Sequence, residues 1–277
     1  MIISIGNQKG GVGKTTIAVH LVHYLSTFSK RVLAVDLDSQ GNLTATLLGS
    51  EPHPEALSSS ELFAPIDSGK KPQKVDDTPF CIVGANSGDR DLANLAGADF
   101  SVMSIFSERF KPLMDEYDYI IIDTPPNMGL MQYTSIAISD FFFVPMYADS
   151  FSPLGVSQLI RSFQDISEKL GADIQPSGFI INAYTGRASG ERQILAALEE
   201  QIPDLVMKNK LVRRSAYSQV HDTGKPVWAN CKSGAQREAA DEMLALMGEI
   251  CRRCGIKVPA KRKPIVNLTR SLKGEHS

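Results

Sequence analysis

Cysteine, tryptophan and long apolar runs are all scarce in this chain. Four cysteines in 277 residues, at 81, 231, 251 and 254, do not make a disulfide framework at this size and suit a reducing cytosol. The richest apolar stretch, Phe141 to Met146, falls far short of the roughly 20 residues a spanning helix needs, so it reads as a buried strand. Met1 leads straight into the apolar run Ile2 to Ile5, and no signal peptide is expected. No internal repeat is visible.

Net charge is also small, at −2, but that figure hides an asymmetry. From Val206 to Ser277 there are 15 Lys or Arg against 6 Asp or Glu. The cations are grouped: Lys208, Lys210, Arg213 and Arg214, then Arg252 and Arg253, then Lys261 to Lys263. Such groups are either a solvated face or an attractor of phosphate backbones, which acts largely without regard to sequence. Only Cys251 and Cys254 are close together, and a C-x-x-C pair alone supplies two ligands of a metal site. Ala240, Met243, Leu244, Met247, Cys251 and Cys254 recur at helical spacing, which assigns both sulfurs to the core of a last helix.

What the chain does have is a glycine-rich loop between an apolar strand and an amphipathic helix. Lys9-Gly10-Gly11-Val12-Gly13-Lys14-Thr15-Thr16 follows Ile2 to Ile5 and precedes Ile17, Leu21, Val22 and Leu25. Glycines let the backbone wrap close to a polyphosphate with its N–H groups inward, and the following helix points its positive end at the same anion. Lys14 neutralises the terminal phosphates and Thr15 offers a hydroxyl to magnesium. The common pattern places glycine where this chain has Gln8, and it lacks a counterpart of Lys9. That second lysine is either a solvated charge or serves a nucleotide held by a neighbouring subunit.

Apolar strand-like runs alternate with helical segments, predicting an α/β fold with a doubly wound, mostly parallel twisted sheet. Strands are expected at 2–6, 31–36, 80–84, 119–123, 141–146, 178–182 and near 210–213. Helices are expected at 14–28, 101–117, 129–138, 154–170, 189–201 and 235–253. Residues 50–79 read as a surface excursion with a short helix at Ser59 to Phe63. One domain over 1–255 is expected, followed by a basic, loosely ordered tail over 256–277. The glycine-rich loop, Asp36 to Asp38 and Asp123 all fall at carboxyl ends of strands, where open α/β sheets bind ligands.

With both lysines, the loop resembles the deviant Walker A motif of the ParA/MinD ATPases. Val35-Asp36-Leu37-Asp38-Ser39-Gln40-Gly41-Asn42 resembles the second acidic motif of that family, with Ser39 where proline is usual. Ile120-Ile121-Ile122-Asp123-Thr124-Pro125-Pro126 resembles its Walker B and switch segment, and Gly224-Lys225-Pro226 also fits. The resemblance implies a slow, partner-stimulated ATPase in which two subunits sandwich two ATP molecules and Lys9 of each reaches the other's nucleotide. It implies Mg2+ held by Thr15 and, through water, by Asp123, with support from Asp36. Asp38 is the position that orients the attacking water. Gly10 to Thr16 cradle the phosphates, Asn182 matches an adenine-contacting position, and Thr124, Pro125 and Pro126 form the switch.

For partners, the resemblance implies an ATP-bound homodimer, nonspecific DNA, and a ParB-like or other adaptor that stimulates hydrolysis. The setting it implies is a cytoplasmic, nucleoid-associated protein positioning a plasmid, chromosome or other cargo. Arg187, in Tyr184-Thr185-Gly186-Arg187, and Arg213 with Arg214 match regions that contact DNA in ParA relatives, although Ala216 stands where arginine is frequent. No helix-turn-helix reader is expected ahead of the loop. A MinD-like membrane attachment is the alternative; Ile265, Leu268 and Leu272 share helical spacing, but Pro264 and the lack of aromatics make a feeble membrane helix. Metabolic ligases and cluster carriers share the loop and form a second alternative.

Overall fold

The computed structural model describes residues 1–29, 31–127, 129–148, 153–170 and 175–259. Of the expected basic tail over 256–277, only 256–259 are described, and there Ile256 is buried in the core with Val258 packed against it rather than loose; Lys261 to Lys263 and Ile265 to Leu272 lie outside the described residues. Seven strands are described: β1 Ile2–Ile5, β2 Val32–Asp36, β3 Gln73–Lys74, β4 Phe80–Val83, β5 Tyr119–Asp123, β6 Phe141–Tyr147 and β7 Gly178–Asn182. They form one sheet in the order β3-β4-β2-β5-β1-β6-β7, parallel throughout except for β3 against β4.

The helices are α1 Lys14–Leu25, α2 Asn42–Leu48, α3 Arg90–Asn94, α4 Val102–Glu116, α5 Leu130–Ile138, α6 Pro153–Leu170, α7 Ser189–Gln201, α8 Gln219–Thr223 and α9 Gly234–Arg253. Apart from the two-residue edge strand β3, the strands send alternate residues to opposite faces, as a sheet covered on both faces requires. Ile3, Ile5, Val32, Ala34 and Ile121 pack with Ile17, Leu21 and Leu25 of α1 and Met243, Leu246 and Ile250 of α9. Ile2, Leu33, Val35, Ile120 and Ile122 face the opposite way, onto Phe106, Phe110 and Leu113 of α4. Farther along, Phe142, Val144, Phe179 and Ile181 meet Phe163 and Ile166 of α6 and Leu195 and Leu198 of α7. Cys251 and Cys254 are buried, in the α1–α9 layer.

Some elements differ from the sequence reading. The strand expected near 210–213 is a single parallel bridge between Tyr184 and Val212, flanked by Leu211 N–H to the Ile181 carbonyl at 3.0 Å. The chain leaves the sheet there because Val212 and Arg214 turn toward Glu242 of α9. Three short helices, α2, α3 and α8, and the edge strand β3 lie outside the expected elements. The short helix expected at Ser59 to Phe63 is a 3-10 turn over Ser60–Phe63.

Between β5 and β6, β1 lies at the place where successive connections run off in opposite directions across the sheet. Its carboxyl end is the crevice into which doubly wound sheets admit ligands.

Candidate nucleotide site

The loop from Gly6 to Gly13 leaves β1 and turns into α1 through two left-handed glycines, Gly11 at φ 74° and Gly13 at φ 94°. Gly13 is the N-cap of α1 and gives it no side-chain cap; the first turn has no acidic residue. Amides at a helix start with neither side-chain cap nor acidic residue suit an anionic ligand. Several neighbours brace the loop. Asn7 Nδ2 donates to the Pro145 carbonyl at 2.7 Å while its Oδ1 accepts from Lys9 N–H at 3.0 Å. The Tyr147 hydroxyl donates to the Gly11 carbonyl. Asn182, at the end of β7, donates from Nδ2 to the Val12 carbonyl at 2.8 Å. A Cβ on Gly13 would sit 2.4 Å from that same Nδ2, so glycine is required both for its φ and for the close approach.

The two lysines part company. Lys14 is buried, and its Nζ donates to the Lys9 carbonyl at 3.3 Å, closing the loop on itself. Burial lowers its pKa, while the charges of Asp123 and Asp38 act in the opposite sense. Lys9 is exposed and has no ion pair among the described residues.

Three aspartates gather here, and two of them, Asp123 and Asp38, act on Lys14. Asp36 and Asp123 are register partners on β2 and β5. Asp36 is fully buried, and burial pushes its carboxyl up to about 7. Its Oδ2 accepts from the Thr44 amide at 2.9 Å and the Thr44 hydroxyl at 2.8 Å, and its Oδ1 accepts from Asp38 N–H at 3.1 Å. Both oxygens are thus engaged in anchoring the start of α2 and the Asp38 turn. Asp38 accepts from Gln40 N–H at 3.0 Å and is buried.

Asp123 offers a different environment. Its Oδ2 accepts from the Thr15 hydroxyl at 2.6 Å, whereas Oδ1 is buried with no hydrogen-bond partner among the described residues. Burial, followed by the charge of Asp36, raises its pKa well above the usual carboxylate range. An orphaned carboxylate oxygen next to a threonine hydroxyl is an oxygen donor set that suits Mg2+ with its bound water. Next along, Thr124 is buried with its hydroxyl donating to the Ile5 carbonyl at 3.3 Å; Pro125 is buried and Pro126 exposed beside Gly10.

The expected DNA-binding arginines are displayed differently. Arg187 is exposed at the end of a loop whose Thr185 and Gly186 amides are gathered by Glu191. Arg213 is exposed, and its amide bonds to the Tyr184 carbonyl, so the two loops adjoin. Arg214 instead folds onto α9, pairing with Glu242 at 2.7 Å and Glu238 at 3.1 Å. Lys210 pairs with Glu199, and Arg253 donates to the carbonyls of Ser177, Asp204 and Val206. Asn7, Tyr147 and His221 escaped the sequence reading. Asn7 alone carried a signal, since it stands two residues before Lys9.

A family model described as an AAA domain matches residues 1–176. The chromosome partitioning protein ParA of Myxococcus xanthus is 30% identical over 94% of this chain and 91% of its own length. The chain belongs to the ParA family of P-loop ATPases. An ATP complex of a McdA variant from Cyanothece superposes with a TM-score of 0.74 at 25% identity, covering 94% of this chain and 98% of that one. Cobyrinic acid a,c-diamide synthase from Mycobacterium smegmatis, with a bound ATP analogue and magnesium, shares the fold at a TM-score of 0.68 and 24% identity, over 93% and 98%. In this ParA-family ATPase, Lys14 lies within electrostatic reach of Asp38 and Asp123.

Proposed function

We propose that this ATPase works as a partition-type switch: ATP closes two copies face to face, the closed pair holds DNA without regard to sequence, and hydrolysis lets it go. The observation that carries this reading is the division between the lysines. Lys14 is buried inside its own loop, while Lys9 is exposed on the same loop, free to reach a nucleotide held by a second copy. Hydrolysis of a phosphoanhydride needs charge neutralisation and positioning more than covalent chemistry, so a cation added in trans raises the rate. Asp38 orients the attacking water, Lys14 neutralises the terminal phosphates, and Asn182 doubles as brace and base contact. Thr15 and, through water, Asp123 would hold magnesium, which would supply positive charge at the phosphates. Thr124 to Pro126 lie beside the loop and register loss of the terminal phosphate. Arg187 and Arg213 support the DNA surface, an adaptor of the ParB type stimulates turnover, and the nucleoid is the site of action.

Light scattering in ATP, ADP and no nucleotide tests this. The Asp38→Ala variant should be dimeric in Mg-ATP and monomeric in ADP. Lys9→Ala should bind ATP with little loss yet stay monomeric, whereas Lys14→Ala should lose ATP affinity by about 100-fold or more, the worth of a charge-assisted contact to phosphate. Equal loss of ATP affinity in both lysine variants would refute the trans role. A monomer in saturating Mg-ATP would favour a metabolic use of the fold, and vesicle binding without DNA binding a MinD-like one.

A further inference from the structure

Three histidines tie the phosphate helix to a distant surface segment. His20 accepts from Val227 N–H at its Nε2, 3.0 Å, so its Nδ1 carries the proton and donates to the Thr16 carbonyl at 2.6 Å. His23 Nε2 donates to the Gly224 carbonyl at 2.9 Å. His221, on α8, lies with Nε2 2.9 Å from the Thr16 hydroxyl and Nδ1 3.0 Å from the Thr46 hydroxyl.

Hydrogen-bond direction settles what His221 does. The Thr46 hydroxyl spends its only proton on the Asn42 carbonyl at 2.7 Å, so toward His221 it can only accept. Nδ1 is therefore the protonated nitrogen, and the Nε2 lone pair receives the proton of the Thr16 hydroxyl. Burial favours this neutral ring. The Thr16 hydroxyl is thus held directly from α8, and the Thr16 carbonyl only indirectly, through His20 of the same helix, which accepts from Val227 N–H; the segment from α8 to Val227 is itself the wall of a groove. Ala216, Gln219, Val220, Thr223, Lys225 and Asn230 border a cavity of about 200 Å³ that adjoins a second of about 320 Å³ beside Arg214 and Ser233.

We infer that His221 is a positioning residue that senses the Thr16 hydroxyl and thereby couples nucleotide occupancy of the phosphate loop to the order of the α8 segment. A phosphate oxygen is a charged acceptor and outcompetes a neutral imidazole for the Thr16 proton. Nucleotide entry then leaves Nε2 without its donor, weakens the attachment of α8 and loosens the groove wall. The inference rests on the nucleotide-site reading of residues 10–16 but not on the dimer or on DNA.

Amide hydrogen exchange tests it, in the Lys9→Ala background to keep the protein monomeric, without DNA, and with Mg2+ and a non-hydrolysable ATP analogue. The analogue should protect residues 10–16 and speed exchange at 219–229 by about fivefold, the weight of one ordinary hydrogen bond. His221→Ala should exchange fast at 219–229 with and without analogue while keeping protection at 10–16. His221→Gln, whose amide oxygen can replace the Nε2 acceptor, should restore the response. His221→Asn, which reaches only the Thr46 side, should not. An unchanged response in His221→Ala, failure of Gln to restore it, or no response at 219–229 in the parent would overturn the coupling. Absence of protection at 10–16 in the parent would overturn the nucleotide-site reading and the coupling with it.

Discussion

Gly13 shows how tightly single positions are determined at this site. Its left-handed backbone and the 2.4 Å gap between a notional Cβ and Asn182 Nδ2 are independent constraints. Gly13→Ala should abolish nucleotide binding by calorimetry. Adding Asn182→Ala should recover part of the stability but not the binding, because the strain of a left-handed alanine, about 1–2 kcal/mol, remains. The histidines make a second, titratable prediction. Burial depresses His20 to about 3 and His23 to about 4, below the 6.5 of an unfolded chain. A depressed histidine contributes stability that is present above 6.5 and lost as pH falls toward its folded value. His23→Gln keeps a donor for Gly224 and removes one such titration. Between pH 6.5 and 4.5 its unfolding free energy should therefore fall less steeply than that of the parent, by about 1 kcal/mol per pH unit. Parallel pH profiles in urea titrations would contradict this.

At the scale of elements, the sequence spoke clearly where packing follows a period. Ser189–Gln201 and Gly234–Arg253 end within a residue of the bounds read from apolar spacing. It was silent where tertiary partners override local signals. Asn42–Leu48 is seven residues long, is bounded by glycines at 41 and 49, contains threonines at 44 and 46, and is held by the Asp36 carboxylate eight residues before Thr44. Leu211 and Val212 have the composition of a strand, yet only one bridge forms. Within the basic clusters, charge count does not reveal which cations are already paired. Arg214 is the instructive case. It braces the α8–α9 junction with Glu238 and Glu242, the latter also accepting from the Tyr217 hydroxyl at 2.7 Å. Arg214→Ala should lower stability by about 1–3 kcal/mol in chemical denaturation, because Glu242 loses its counter-charge. Arg213→Glu should leave stability unchanged while weakening binding to arbitrary duplex, with the salt-dependence slope reduced by about 1. The reverse pattern would make Arg214 the DNA contact.

On the scale of the whole molecule, the doubly wound, mostly parallel class and the place of the glycine-rich loop at a strand's end were legible together because both depend on short, contiguous stretches: an apolar run ending in glycines or an acid. The bracing of the loop was not, since Asn7 bonds to Pro145, 138 residues away, and Asn182 to Val12, 170 away. The same long reach governs how the protein is born. Ile2–Ile5 pairs with residues 120–123 on one side and 141–143 on the other. Such separations make folding slow and leave early segments waiting. A ribosome must therefore emit nearly half the chain before its first strand gains a strand partner, and translation itself delays the moment at which a nascent copy can capture its fuel.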